Sequence, residues 1–293
     1  MKKTLRKMNG FEEVNNRVSC RLVGGLATAI GFIGKDMKIA ISYKLQFIFQ
    51  FSQVFFSVAI IYFIGKMLGA SNNSPLLKAY GADYFSFALV GLAVTSYLRA
   101  GLVTITNEIR QVMNQGTLEA MYAAPVGYKW LLLYASLWPF IFETFRVMCH
   151  FFIGMIVFGL RLHNANWLGA AVTMIITIPI FLMLGMTSCS ILILVKRGDP
   201  INWVFSSASA LLAGTMFPIA VLPGWLRAVA LCMPLTHSLE AMRKCLLTGA
   251  SVQQVYWHLL ALLLFLAALA PGAVLVNNMC MKRAKRRGAF STH

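Results

Sequence analysis

Residues 214–249 read GTMFPIAVLPGWLRAVALCMPLTHSLEAMRKCLLTG, and the prolines in this stretch decide the architecture. The stretch lies between two strongly apolar segments, residues 201–217 and 254–279. Pro218, Pro223, Gly224 and Pro234 cut it into short helical pieces, because a proline inside a helix removes a backbone donor and clashes with the preceding turn. Backbone groups left unpaired in lipid are costly, so a broken segment at membrane depth must be shielded by protein or water. The expectation is a re-entrant or interfacial hairpin, which a simple membrane anchor lacks.

The rest of the chain fits a bilayer. It has 293 residues, 59% hydrophobic and 12% charged, with a mean hydropathy of +0.72. A soluble domain carries about a quarter charged residues; this chain has half that share and reads as an integral membrane protein. The net charge of +17 does not point to nucleic acid, because its basic residues gather at the two ends. Lys2, Lys3, Arg6 and Lys7 stand at one end and Lys282, Arg283, Lys285, Arg286 and Arg287 at the other. Basic flanks beside apolar spans are the positive-inside signature, and they also attract anionic lipid. Six cysteines (20, 149, 189, 232, 245 and 280) contain no CxxC pair, which argues against a zinc site or a disulfide framework. Cys232 and Cys245 fall in the same hairpin, where a bridge and two free thiols both remain open.

A helix needs about 20 apolar residues to cross ~30 Å of hydrocarbon. Six segments qualify: residues 47–64, 84–106, 131–160, 167–195, 201–220 and 257–279. The predicted fold class is an all-α integral membrane protein of six transmembrane helices. The first span carries Gln50 and Gln53, so it is expected to face other helices. Residues 27–46 place Phe32, Ile33, Met37, Ile41 and Tyr43 on one helical face, as an interfacial amphipathic helix does. With both termini in the cytoplasm, the inside segments hold 18 Lys and Arg and the outside segments 6, which favours that orientation. The division is then a flexible cytoplasmic N-terminus at 1–26, a transmembrane domain at 27–281 and a basic cytoplasmic tail at 282–293. The first 21 residues are polar, and no cleavable signal is convincing, because Leu22–Gly34 is Gly-rich and sits too far in.

Three charges fall inside spans: Arg99, Glu143 and Arg146. Ions at membrane depth are costly and face the protein interior or a water-filled path. Glu143 and Arg146 are three residues apart and can neutralise each other; a substrate-path contact and a gate between protomers are the functional alternatives. Arg99 lies about 10 Å from the cytoplasmic end of its span at helical rise, where it can snorkel or meet Glu143. In the hairpin, His237, Glu240 and Arg243 share a helical face, and Glu240 and Arg243 can pair. Pro139 and Pro179 are expected to kink their helices. The aromatic residues of the first span, Phe47 to Phe63, fit either an aromatic-lined path or ordinary packing.

Residues 107–130 read NEIRQVMNQGTLEAMYAAPVGYKW. Gly116 breaks the preceding helix and Thr117 can cap a new one. Leu118, Met121 and Tyr122 then form an apolar face, and Pro125 with Gly127 ends it. A short amphipathic helix of this kind serves as a partner-docking element or as a plain interfacial connector.

The segment NQGTLEAMYAAPV, together with FP, PGWL and PLTHSLEAMRKCLLTG in the hairpin, resembles the permease subunit of type-2 ABC exporters, whose fold is called type V. The resemblance runs from about Gly34 to Met281. It implies that Gly116, Thr117, Leu118, Glu119, Met121 and Tyr122 form the coupling helix that contacts a separate ATPase subunit. It further implies that Pro223, Pro234, His237, Glu240 and Arg243 shape two short outward-facing re-entrant helices before the last span. The implied partners are two copies of an ABC ATPase, a second permease copy and membrane lipids. ATP and Mg would be bound by the ATPase subunit, with no cofactor in this chain. The family exports lipid-linked polysaccharides, lipids, hydrophobic drugs and natural products.

The chain itself carries no GxxxxGK[ST], HExxH or GxSxG pattern, the signatures of a P-loop, a zinc peptidase and a serine hydrolase. Histidines 150, 163, 237, 258 and 293 form no ligand spacing. The alternative function is an ion-coupled secondary transporter or channel acting without an ATPase. It calls for mid-membrane carboxylates and an inverted repeat; only Glu143 qualifies, and no repeat is visible.

Overall fold

The structure is a computed structural model that describes residues 27–68, 77, 80, 83–116, 128–160, 162, 165–195 and 199–286. Its regular elements are helical. Helix α1 covers residues 27–42; α2 is Lys44–Leu68, α3 Tyr84–Asn114, α4 Tyr128–Phe158 and α5 Trp167–Val195. Then follow α6 (Pro200–Leu212), a single 3₁₀ turn at Ile219–Val221, α7 (Gly224–Leu231), α8 (Pro234–Leu247) and α9 (Tyr256–Arg286). The chain is therefore an all-α membrane protein, and among the described residues five helices are long and apolar enough to cross a bilayer.

Four of the expected spans and the last one coincide with α2, α3, α4, α5 and α9. The expected span at 201–220 does not form as one helix. α6 has 13 residues, about 20 Å of helix, too short to cross ~30 Å. It stops at Ala213, and Gly214 follows with φ of 77°, a backbone conformation that glycine adopts without penalty. Pro218 then prevents the helix from resuming. At its other end Asp199 caps α6 by accepting from Asn202 N at 3.1 Å, and Pro200 occupies the first turn, where its missing donor costs nothing.

α3 is the central helix. Its buried residues run from Phe85 to Ile109, and it packs against α2, α4, α5, α6 and α8. α3 and α5 meet backbone to backbone, since a Cβ on Gly101 would lie 2.8 Å from the Phe181 carbonyl oxygen. Small residues permit this close approach in membrane helices, where packing rather than hydrophobic expulsion drives association. The main core joins α2, α3, α4, α5, α8 and α9 around Leu89, Leu102, Phe181 and Leu239.

α2 contributes Val54, Val58 and Ile61 to that core. Gln50 is only half-buried and Gln53 is exposed, so the glutamines do not mark the inward face as expected. The exposed side is instead aromatic, with Phe49, Phe55, Phe56 and Phe63. α1 also differs from its expected face. Phe32 and Ile33 are half-buried, with the Phe32 ring 6.4 Å from Tyr134, whereas Met37, Ile41 and Tyr43 point outward. The helix ends at residue 42, four residues short of the expected boundary. Pro139 and Pro179 lie within continuous helices, as does Pro271. α9 runs on through Lys282 and Arg283 to Arg286, so the basic tail begins as helix.

Candidate functional site

The outer hairpin is built around Arg243. This side chain is fully buried, at 0% exposure. Its Nη1 donates to the Gly214 carbonyl and its Nη2 to the Thr215 carbonyl, both at 2.8 Å, and its Nε reaches the Phe87 carbonyl at 3.4 Å. The guanidinium also stacks on the Phe87 ring, 3.5 Å from its centre. A rigid planar fork suits such a multi-carbonyl cradle. The arrangement has a structural logic: the turn after α6 leaves carbonyls without helical partners, and Arg243 supplies the missing donors. Burial pulls its pKa down to about 10, with Glu240 and Tyr80 opposing the shift. It thus stays charged at neutral pH.

The expected Glu240–Arg243 ion pair does not form. The spacing puts both on the same face of α8, but Arg243 reaches toward the α6 turn while Glu240 accepts from the Tyr80 hydroxyl at 2.8 Å. Carbonyl acceptors fixed by the fold win the guanidinium, and the carboxylate keeps only a through-space influence on it. Burial and Glu240 together push the Tyr80 phenol well above its usual range, so it acts purely as a donor here. Gly91 makes the cradle fit: a Cβ there would overlap the Thr215 carbonyl and sit 2.7 Å from Arg243 Nη2.

His237 belongs to a separate chain of donors. Lys244 Nζ lies 3.2 Å from His258 Nε2, His258 Nδ1 lies 3.4 Å from His237 Nδ1, and His237 Nε2 lies 2.9 Å from the Leu231 carbonyl. Read as one donor-to-acceptor sequence, it ties the end of α7 to α8 and α9. Pro223 and Pro234 occupy the starts of α7 and α8. α8 is further held to α5 through Ser238 and Thr177 at 2.9 Å, and to the start of α5 through Asn166, whose backbone N–H donates to the Cys245 carbonyl at 2.9 Å. Cys232 is exposed and Cys245 buried, and both are free thiols.

The intramembrane charges separate into two kinds. Glu143 and Arg146 form the expected pair at 3.2 Å, with Glu143 buried at 5% and Arg146 partly open. The Arg146 carbonyl accepts from His150 Nδ1 at 2.8 Å, and His150 Nε2 meets Ser57 at 3.1 Å, which links α4 to α2. Arg99 behaves differently. It is exposed and does not meet Glu143.

Of the expected coupling helix, Gly116 is described: it has φ of 66° and follows the end of α3, as a helix-breaking glycine should. Thr117, Leu118, Glu119, Met121 and Tyr122 lie outside the described residues, as do 1–26 and the tail from Arg287. Sequence reasoning missed Tyr80, Phe87, Gly91 and His258. Their partners are remote in the chain, and only the assembled packing reveals them.

This architecture defines a multi-pass membrane protein with a buried, hydrogen-bonded hairpin before its last helix. The sequence profile of the ABC-2 type transporter family matches residues 35–247, from α1 through the end of α8. The chain belongs to that family and is a transmembrane component of an ABC transporter. It is similar to nodulation protein J of Rhizobium meliloti (strain 1021), with 26% identity over 211 residues, covering 69% of this chain and 76% of that protein. It is also similar to nodulation protein J of Rhizobium leguminosarum bv. trifolii, with 25% identity over 215 residues, covering 71% and 78% of the two chains.

Proposed function

We propose that the chain is the membrane half of an ATP-driven exporter that moves a lipidic, hydrophobic or lipid-linked glycan substrate outward across the cell membrane. Two copies pair around a central path, and two separate ATPase subunits bind ATP and Mg. The termini lie in the cytoplasm, and six crossings result when α6 and the segment after it complete one passage together. Residues 116–122 receive the push from the ATPase, and α3, which ends just before Gly116, carries it into the core. The family match from α1 to α8 is the observation that supports this reading most.

α3 suits the role of lever. It touches most of the other long helices and, through the Gly91 and Phe87 contacts, the Arg243 cradle of the outer hairpin. A displacement at its inner end therefore reaches the opposite end of the molecule through packed groups. The ion-coupled alternative needs an accessible carboxylate at mid-membrane, and Glu143, its candidate, is buried against Arg146.

The test is co-expression with a candidate ATPase subunit and reconstitution into proteoliposomes. Glu119→Arg is expected to abolish substrate-stimulated ATP hydrolysis while membrane insertion stays normal. Stimulation equal to wild type would contradict the docking assignment.

A further inference from the structure

The junction of α1 and α2 stands off from α4 and leaves a two-part groove between them. One part is a cavity of about 230 Å³. Its polar lining is Asp36 from α1, Tyr43 from the junction, Gln50 from α2 and Glu108 from α3. The other part, about 580 Å³, is lined by Ile41, Ile48, Ile141 and Phe145, with Lys44 its one charged residue among those described. Ala40, Trp138 and Phe142 border both parts, so the two are continuous. The groove is polar in one half and hydrocarbon in the other.

The polar half carries two carboxylates. Asp36 is paired, 3.1 Å from Lys35, whose side chain is half-exposed and lies over the Phe32 ring. Glu108 is half-buried and makes no hydrogen bond or ion pair among the described residues, although it lies near enough to feel the charges of Lys35 and Asp36. Withdrawing a carboxylate from water without giving it a donor is costly. One lysine thus serves two acids. Lys44 does not supply the difference, because it borders the apolar half and is exposed, where its ammonium can stay in water. The missing partner is a cation.

Two carboxylates among aromatic walls make a poor cage for Ca or Mg, which take about six or more oxygen ligands. The same walls suit an organic ammonium. Trp138 and Phe142 stand with ring centres 6.2 Å apart, and indole is the best of the cation-binding rings. Cations already lie over rings in this neighbourhood, Lys35 over Phe32 at 5.3 Å and Arg146 over Phe142 at 5.6 Å.

We propose that this groove is a binding site for a lipophilic amine, with the ammonium held by Glu108 and Asp36 against Trp138 and the hydrocarbon laid along Ile41, Ile48, Ile141 and Phe145. An anion would be repelled by the two acids, and a neutral hydrocarbon would leave Glu108 unpartnered. The bound amine joins α1 and α2 to α3 and α4. The site is a property of this chain alone and does not depend on the exporter reading.

The experiment measures saturable binding of radiolabelled dodecyltrimethylammonium to the full chain in a neutral maltoside detergent, against empty micelles. The competitors are dodecanol as the neutral match, tetramethylammonium as a head without a tail, and lysophosphatidylcholine as a bilayer-type lipid. Wild type is expected to bind the alkylammonium, with little displacement by an equal concentration of any of the three. Glu108→Gln should weaken binding by about tenfold or more, the loss of a charge-assisted contact, while elution in gel filtration stays that of wild type. Ile141→Trp, at an exposed position, fills the apolar half without touching the acids and should also weaken binding. Unchanged binding in either variant would overturn the assignment. So would equal displacement by dodecanol, which makes the groove a plain hydrocarbon surface, by tetramethylammonium, which makes it a free-ion site, or by lysophosphatidylcholine, which makes it a seat for bilayer lipid.

Discussion

Arg243 in the hairpin and Arg99 on α3 are both arginines in the membrane part of the molecule, and the fold treats them in opposite ways. Arg243 is sealed at 0% exposure inside three carbonyls and an aromatic ring. Arg99 is exposed and makes no hydrogen bond or ion pair among the described residues. Removing one donor from a satisfied buried network leaves its acceptors stranded, whereas an exposed side chain can be exchanged with little effect on the fold. The contrast separates a charge that the packing depends on from one that it does not.

The same contrast runs between the two short helices. α8 buries eleven of its 14 residues, including Glu240 and Arg243. α7 buries Ala230 alone and exposes Trp225, Val229 and Leu231. The hairpin is therefore not a uniform re-entrant loop. One arm is part of the core, and the other presents an apolar surface.

Four substitutions break or sharpen this comparison. The largest effect is expected at Gly91. Gly91→Val drives a side chain into the Thr215 carbonyl and the guanidinium, with backbone on one side that cannot yield; the monodisperse peak in detergent gel filtration should vanish. Next is Arg243→Ala, which strands three carbonyls and should cost about 4 kcal/mol in reversible unfolding. Arg243→Lys should recover part of that loss. The exchanged pair Glu240→Arg with Arg243→Glu should not, because a carboxylate would then face the carbonyls. Rescue by the exchange would restore a direct ion pair to the account. Third, Tyr80→Phe removes one hydrogen bond to a carboxylate and should lower stability by about 1–2 kcal/mol, read from the same unfolding curve. Smallest is Arg99→Ala, which should leave the unfolding free energy within about 0.5 kcal/mol of wild type. A larger loss would make Arg99 structural and erase the contrast.

Much of the fold is legible from apolar run length. α5 matches its expected bounds residue for residue, and α2, α3, α4 and α9 contain nearly all of theirs. The Glu143–Arg146 pair is legible too, because a spacing of three on a helix nearly guarantees proximity. The limits have a physical cause. Spacing places Glu240 and Arg243 on one face but does not say which neighbours compete for them, and the winners sit at Tyr80, Phe87, Gly214 and Thr215. Hydropathy alone extends α6 to residue 220, whereas Gly214 and Pro218 end it. The inward face of α2 is set by Val54, Val58 and Ile61, since a glutamine near a water-facing or copy-facing surface is no liability there.

On the proposed function, the work comes from a separate ATPase subunit and enters at residues 116–122. The most direct measurement is cargo accumulation in proteoliposomes holding the chain with and without its ATPase, at saturating ATP and with no ion gradient. The account predicts uphill accumulation only with both subunits present, and none when Glu119→Arg replaces the wild-type chain. Uphill accumulation by the chain alone would contradict it.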